Sequence, residues 1–471
     1  MVFSSLTFIY AFLPLAILAH YLTKNILFRN ITLILFSLVF YAWGEPLWLF
    51  LLLITAIFDF GVGLLIERML LKSKAKAKAV LIFGVVVNLS LLIGYKYGGF
   101  LWDNINMLLQ NFGWEMPFPR PTNSLPIGIS FYSFQVIAYL VDVYRRDTPA
   151  QKNPINFLVC ISMFPHLVAG PIIRYSKIHD ELDNRKVNWS DLSYGINRFC
   201  FGLFKKVIIA NTAGELVQKY LEDGFHDLSS YEGWFGIAMF SIQIYFDFSG
   251  YSDMAIGLAR MFGFHFDENF RHPYAAISVG DFYRRWHISL GRFFRDYVYI
   301  PLGGNRKFQL RNIVIVWLLT GIWHGASWNF LLWGAYFGCF MVIEKLLDRF
   351  LQKTPRILRH TYTLILIVFS RGIFYFTDWN QLKSFTINLF TSNNAIGAGF
   401  YTDLYEHVFW FVAVVLLCIP WEEIYTEGSK LNRGTSKLYG ALSPAFNLAF
   451  IALSTAMLVD STYNPFIYFR F

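Results

Sequence analysis

The chain has 471 residues, of which 56% are hydrophobic and only 15% charged, with a formal net charge of +9 and a mean hydropathy of +0.44. A soluble domain carries roughly 25% charged residues, so this composition excludes a water-exposed globule. The excess Lys and Arg fall in loops between apolar blocks, which makes them an orientation signal rather than a nucleic-acid footprint.

A bilayer span needs about 20 mostly apolar residues. Blocks that meet or approach this cover residues 6–22, 47–66, 79–97, 233–248, 313–343 with an interruption, 362–376, 408–421 and 445–459. Shorter or more polar blocks cover 31–41, 127–143, 157–173 and 199–210. No basic residue precedes the first block, so it reads as a span rather than a cleaved signal. The loops at 72–78, 145–152, 174–186, 271–311 and 349–359 are strongly basic and predict a cytoplasmic face. The acidic loop at 221–230 and the Pro- and Asn-rich stretch at 104–123 predict the outer face, and Lys24 and Arg29 after the first block place the N-terminus outside. The expectation is an all-α integral membrane protein with roughly ten to twelve transmembrane helices plus re-entrant and interfacial helices. It forms a single polytopic domain over 1–471, with a candidate functional core at about 125–338.

Cys160, Cys200, Cys339 and Cys418 are scattered, with no zinc or redox spacing, and read as apolar filler. The ten histidines contain no H-x-x-x-H pair, so no metal site is expected. Neither a phosphate loop nor a nucleophile elbow occurs.

Three polar insertions stand among the apolar blocks: LPIGISFYSFQ at 125–135, FPHLVAGPI at 164–172 and QIYFDFSGYSDMAIG at 243–257. Pro165, Gly170 and Pro171 predict a broken helix around His166. Asp247 and Asp253 are either proton or ion sites, or structural groups that cap a helix or pair with an Arg such as Arg260. The stretch FYRRWHISLGRFFRDY at 282–297 follows. At about 100° per residue, Phe282, Trp286, Leu290, Phe293 and Tyr297 share one face, and Arg284, Arg285, Arg292 and Arg295 the other. This predicts one basic amphipathic helix lying on the cytoplasmic leaflet, with His287 on the border between faces. Last comes WLLTGIWHGASWNFLLWGAYFG at 317–338, which places His324 inside an apolar hairpin. An ionisable group at that depth faces a cavity or a partner, so His324 is either functional or hydrogen-bonded in a helix interface. Gly321 with Gly325, and Gly334 with Gly338, have the G-x-x-x-G spacing of close helix packing. The same small residues leave room for a thin chain beside the imidazole.

Taken together, RRWHISLGRFFRDYVYIPLGGNR and GIWHGASWNFLLWG resemble the membrane-bound O-acyltransferase (MBOAT) family, in the branch that O-acetylates alginate and related polymers. FPHLVAGPI and QIYFDFSGYSDMAIG are similar to that branch too. The resemblance implies transfer of an acyl group from a thioester to a hydroxyl, with His324 and His287 in the places of the family's two histidines. It implies a ring of tilted helices with funnels from both faces, in the bacterial cytoplasmic membrane. It also implies no permanently bound cofactor, a donor that is cytoplasmic acetyl-CoA or an acyl carrier thioester, and a second, extracytoplasmic acetyltransferase or acceptor protein as partner. A thioester needs no covalent enzyme nucleophile, only a base and donors for the carbonyl oxygen. Histidine titrates near neutral pH and suits the base role, which is assigned to His324. His287 orients the donor, polarises the carbonyl or lines an entry tunnel. Arg284, Arg285 and Arg295 either meet coenzyme A phosphates or only anchor the helix. His166, Gln243, Asp247, Ser327 and Asn329 are the expected cavity lining. The alternatives are D-alanyl transfer to teichoic acid, a proton-coupled transporter using Asp247, Asp253, His166 and His324, and a non-catalytic scaffold.

Overall fold

The computed structural model describes residues 1–121, 125–225, 228–392, 394–421 and 433–460. Among them every regular element is a helix, as expected where the bilayer offers the backbone no partner.

The first helices are α1 (Leu13–Tyr21), α2 (Ile26–Gly44), α3 (Trp48–Leu70), α4 (Lys74–Leu92) and α5 (Gly98–Gln110). A π turn at Ile93–Tyr97 joins the last two into one 37-residue rod. Their amphipathicity runs inside out. In α3, Ile54 and Ile57 are 65% and 73% exposed while Thr55 and Asp59 are buried. Asn88 of α4 donates to Asp59 at 2.8 Å and ties the two helices. Apolar side chains thus face lipid, and polar ones meet each other within.

Next come α6 (Ile129–Arg145), α7 (Pro154–Ser162), α8 (Phe164–Leu167), α9 (Tyr175–Asn184), α10 (Trp189–Phe204) and α11 (Asn211–Val217). The break between α7 and α9 falls where Pro165, Gly170 and Pro171 predict it. The 32-residue α12 (Ser230–Met261), opened by a Ser229–Glu232 capping box, is the buried central post. It crosses α10 at glycines. A Cβ on Gly202 would stand 2.6 Å from the Gly250 carbonyl oxygen, and one on Gly257 would stand 2.6 Å from that of Gly195. Buried ion pairs flank this contact. Asp253 meets Arg198 and Lys205 at 2.7 Å each, and Asp247 meets Lys206 at 2.8 Å. Both aspartates are therefore paired, but Arg260 is not the partner. It binds Asp191 at 3.0 Å.

The stretches 282–297 and 317–338 fold within α13 (Val279–Arg285), α14 (Ile288–Phe294), α15 (Gln309–His324) and α16 (Trp328–Leu346) and the turns between them. The single helix expected over 282–297 is two. Trp286 is extended and His287 sits in the left-handed region at φ 45°. The cause lies upstream. The Asn269 carbonyl accepts from Ile288 N at 3.0 Å, its side-chain oxygen accepts from Ser289 N at 3.2 Å, and Arg271 N binds the Arg285 carbonyl at 2.9 Å. Backbone groups that would continue α13 are thus taken by a neighbouring segment. The aromatic face is real, but Phe282, Trp286, Leu290 and Phe293 are buried in protein rather than in lipid. Helices α15 and α16 form the expected hairpin. A Cβ on Gly334 would stand 2.5 Å from the Trp317 carbonyl oxygen, so the G-x-x-x-G spacing serves close packing.

The chain closes with α17 (Asp348–Leu351), α18 (Arg356–Tyr375), α19 (Trp379–Thr391), α20 (Ala398–Glu406), α21 (Val408–Cys418) and α22 (Arg433–Asp460). Five helices among the described residues are long and apolar enough to cross a membrane, or six with the bent pair α20–α21. The other apolar blocks become shorter, bent or more polar helices, of which α8, α10 and α11 pack against α12. The basic loops share one end of the molecule. Arg146 donates to the Leu70 carbonyl, Arg145 to that of Asp296, and Arg174 pairs with Asp296 at 2.5 Å. At the other end Trp328 donates to Asn104, and Tyr375 donates to Glu222.

Gly202→Ala should lower thermal stability in detergent, since overpacking costs about 1–3 kcal/mol. Gly61→Ala, where the added carbon meets nothing within 4 Å, should raise it by up to about 1 kcal/mol through helix propensity. Equal melting shifts would remove the α10–α12 contact as a stability determinant.

Candidate active site

Helix α15 stops at His324 because Gly325 turns to extended backbone and Ser327 starts α16. Ending a helix among apolar side chains leaves its last carbonyls bare. The π turn after α4 covers them. Lys96 Nζ donates to the carbonyls of Trp323 at 2.6 Å and His324 at 3.1 Å, and the Tyr97 hydroxyl donates to that of Ile322 at 2.8 Å. An ammonium at a helix C-terminus also complements the macrodipole. The half-buried His324 imidazole stands edge-on to Trp333 at 4.9 Å and to Phe374 at 5.2 Å. Asn329 amide nitrogen donates to the carbonyls of Ile373 and Phe374, tying the start of α16 to the end of α18 around the ring.

His287 lies at the α13–α14 break, fully packed under Phe248 at 4.7 Å. Trp323 touches both histidines, 5.9 Å from the His287 ring and 4.9 Å from that of His324. The Asn269 oxygen accepts from Ser289 N and Oγ and lies 3.2 Å from His287 Nδ1. That oxygen is an acceptor, so the network assigns the proton to Nδ1 and a lone pair to Nε2. Nε2 is buried without a hydrogen-bond partner.

Arg284, Arg285 and Arg295 come together on one cavity of about 750 Å³, with Lys345 and Arg359 opposite. Its inner wall is α15 itself, through Ile313, Val316 and Trp317. A second cavity, about 490 Å³, lies on the other side of α14 between Arg174, Lys177, Arg292 and Arg295. Burial alone would raise the Asp296 carboxyl at this mouth, but Arg295 and Arg174 prevail and hold it below the ordinary range.

The remaining expected residues scatter. His166 sits in α8 against Gln135 at 3.2 Å and Phe266 at 5.7 Å. Gln243 is buried on α12, and Asp247 is bound to Lys206. Ser327 is the N-cap residue of α16, with no side-chain capping bond. Sequence reasoning missed Lys96, Tyr97, Asn269 and Arg371. Two of these carried a signal, since Lys96 is the lone charge in block 79–97 and Arg371 the lone charge in 362–376.

The family model of the membrane-bound O-acyltransferases matches residues 124–386. A protein of Azotobacter vinelandii named "Probable alginate O-acetylase AlgI" is 42% identical over 378 residues, covering 79% of this chain and 75% of that one. A peptidoglycan O-acetyltransferase of Helicobacter pylori is 36% identical, covering 73% and 70%. A teichoic acid D-alanyltransferase of Bacillus subtilis is 28% identical, covering 54% and 67%.

Lys96→Met leaves two carbonyls beside His324 without their donor. It should destabilise the protein by about 1–3 kcal/mol, read as a lower melting temperature in detergent. Tyr97→Phe should cost less, because the phenol serves one neutral bond. A Lys96→Met protein that melts with the wild type would show that the cap carries no weight.

Proposed function

We propose that this chain, which belongs to the membrane-bound O-acyltransferase family, takes an acetyl group from a cytoplasmic thioester for O-acetylation of an extracytoplasmic polysaccharide, with His324 as general base. It is a multi-pass membrane acyltransferase. The names of its acetylating relatives support the acetyl group and a polysaccharide acceptor. The greater likeness to these than to the D-alanyl enzyme favours acetylation over D-alanylation.

The observation that carries the mechanism is the sharing of α15. Its first two turns and Trp317 wall the arginine-lined cavity, and His324 ends it. Trp317 and His324 are about 10 Å apart along the axis at 1.5 Å per residue. A thin pantetheine arm bridges such a distance while its anionic end stays on Arg284, Arg285 and Arg295. This geometry supports acetyl-CoA or an acyl carrier thioester as the donor, entering from the basic face. His324 takes the proton of the acceptor hydroxyl as that oxygen attacks the thioester carbonyl. General-base catalysis of this kind contributes typically about 10²–10⁴-fold. With its proton on Nδ1, neutral His287 presents only a lone pair at Nε2. It accepts a hydrogen bond from the donor or acceptor and orients it, and polarising a carbonyl is not open to it in this tautomer. The acetyl group leaves on the outer side, to an acetyltransferase or acceptor protein there.

His324→Ala should abolish acetylation while insertion, expression and melting temperature stay as in the wild type; retained acetylation would refute the base assignment. In proteoliposomes, labelled acetyl-CoA supplied only on the side of the basic loops should label an acceptor on the opposite side. An active protein that leaves that acceptor unlabelled would rule out passage through the protein.

A further inference from the structure

The acyl-transfer reading leaves one strong charge without a task. Arg371 of α18 is 2% exposed and is among the largest fully buried side chains. Its guanidinium carbon lies 4.6 Å from the Trp286 ring centre and 5.9 Å from that of Phe282. The neighbouring Tyr274 hydroxyl donates to the Ser241 carbonyl at 2.5 Å. Nε and Nη2 are buried with no hydrogen-bond partner. These two nitrogens form one edge of the guanidinium, the fork that grips oxyanions with two parallel N–H groups.

A cation kept unpaired inside a membrane protein costs several kcal/mol, so its retention calls for a compensating role. Its surroundings supply one. Gln309 and Arg359 line the same cavity at the basic end, and both helices rise from there. His324 lies fifteen residues beyond Gln309 on α15 and Arg371 twelve beyond Arg359 on α18, about 22 Å and about 18 Å along each axis. The two therefore stand within about one turn of each other in depth. Phe374, one turn beyond Arg371, touches the His324 ring at 5.2 Å. Trp286, beneath the guanidinium, immediately precedes His287. Other buried polar atoms without partners gather here as well, namely Tyr283 hydroxyl, Trp333 Nε1, Asn329 Oδ1 and His287 Nε2.

We propose that Arg371 is a further catalytic residue, whose Nε–H and Nη2–H edge holds the carbonyl oxygen of the transferred acyl group as that oxygen becomes negative. This rests on the acyl-transfer reading. The acceptor hydroxyl oxygen bonds to the thioester carbon, the C=O pair moves onto oxygen beside Arg371, and the hydroxyl proton goes to His324. Collapse restores C=O, breaks the C–S bond and returns the proton to sulfur, leaving an ester and a thiol. Charge appears on the oxygen only in the middle of this sequence, so the guanidinium binds the intermediate more strongly than the thioester. The same fork also fits a permanent two-oxygen anion of a substrate, a carboxylate or phosphate, and the kinetics separate the two.

The test uses the full chain in liposomes with Arg371→Met and Arg371→Lys. Met removes the charge at similar length, a change that is often neutral or stabilising for a buried ion, and Lys restores the charge with a different donor geometry. For Arg371→Met the expected result is a fall in kcat of about 10²–10³-fold, the effect of losing an oxyanion donor. KM for the thioester should not change, Lys should recover part of the rate, and both variants should melt at or above the wild-type temperature. A raised KM with intact kcat would overturn the assignment in favour of a permanent anion. Unchanged kinetics, or failure of both variants to fold, would overturn it as well, the latter in favour of a purely structural role. A wild type that transfers no acyl group under the same conditions would refute the function itself and this assignment with it, whereas an active wild type beside an unaffected variant refutes Arg371 alone.

Discussion

A helix that ends inside a membrane protein must find donors for its last carbonyls, because lipid provides none. The ending of α15 at His324 is met by Lys96 and Tyr97, side chains from a π turn 227 and 225 residues away in sequence. The imidazole can then stand at the tip of a rigid rod rather than on a loop, with its position set by hydrogen bonds on the backbone that carries it. The π turn has a matching purpose, since widening the helix there brings a lysine and a tyrosine in succession toward one neighbour.

Around that tip the walls are aromatic. Trp323, Trp333 and Phe374 meet the His324 ring, and Phe248 and Trp323 meet His287. Flat rings fix a narrow space with few rotatable bonds and offer little competition to the few polar atoms among them. The basic cavity at the end of the molecule is built differently, with the long charged side chains of Arg284, Arg285 and Arg295 on short helical segments.

Much of this was legible in the sequence, and the failures have identifiable causes. An ionisable residue in an apolar block stands out, so His324 is a candidate from the sequence alone, and the glycines beside it mark a helix contact that exists. The wheel drawn over 282–297 grouped the right residues, because side-chain period survives a local break. It missed the break itself, because the competitor for the backbone is Asn269, outside the stretch. For Asp253 the sequence leaves open a proton or ion site, a helix cap, or pairing with an Arg such as Arg260; the partners, Arg198 and Lys205, become neighbours only when α10 crosses α12. The glycines of that crossing recur every seven residues, not every four, so no close-packing motif marks them. Arg371 obeys the same rule that exposes His324, yet it lies beyond 125–338.

The α10–α12 crossing also gathers the buried charges of this region. α10 and the turn after it carry Arg198, Lys205 and Lys206, and α12 carries Asp247 and Asp253; these pair across the crossing, with Glu268 as a further partner of Arg198. Released singly into lipid, either segment would expose groups that each cost about 2.5–3.5 kcal/mol at a helix centre. Pairing at the crossing removes that exposure, and the glycines let the two helices close over the charges without a gap. The contact that forms the central post is therefore also the one that keeps these charges from lipid.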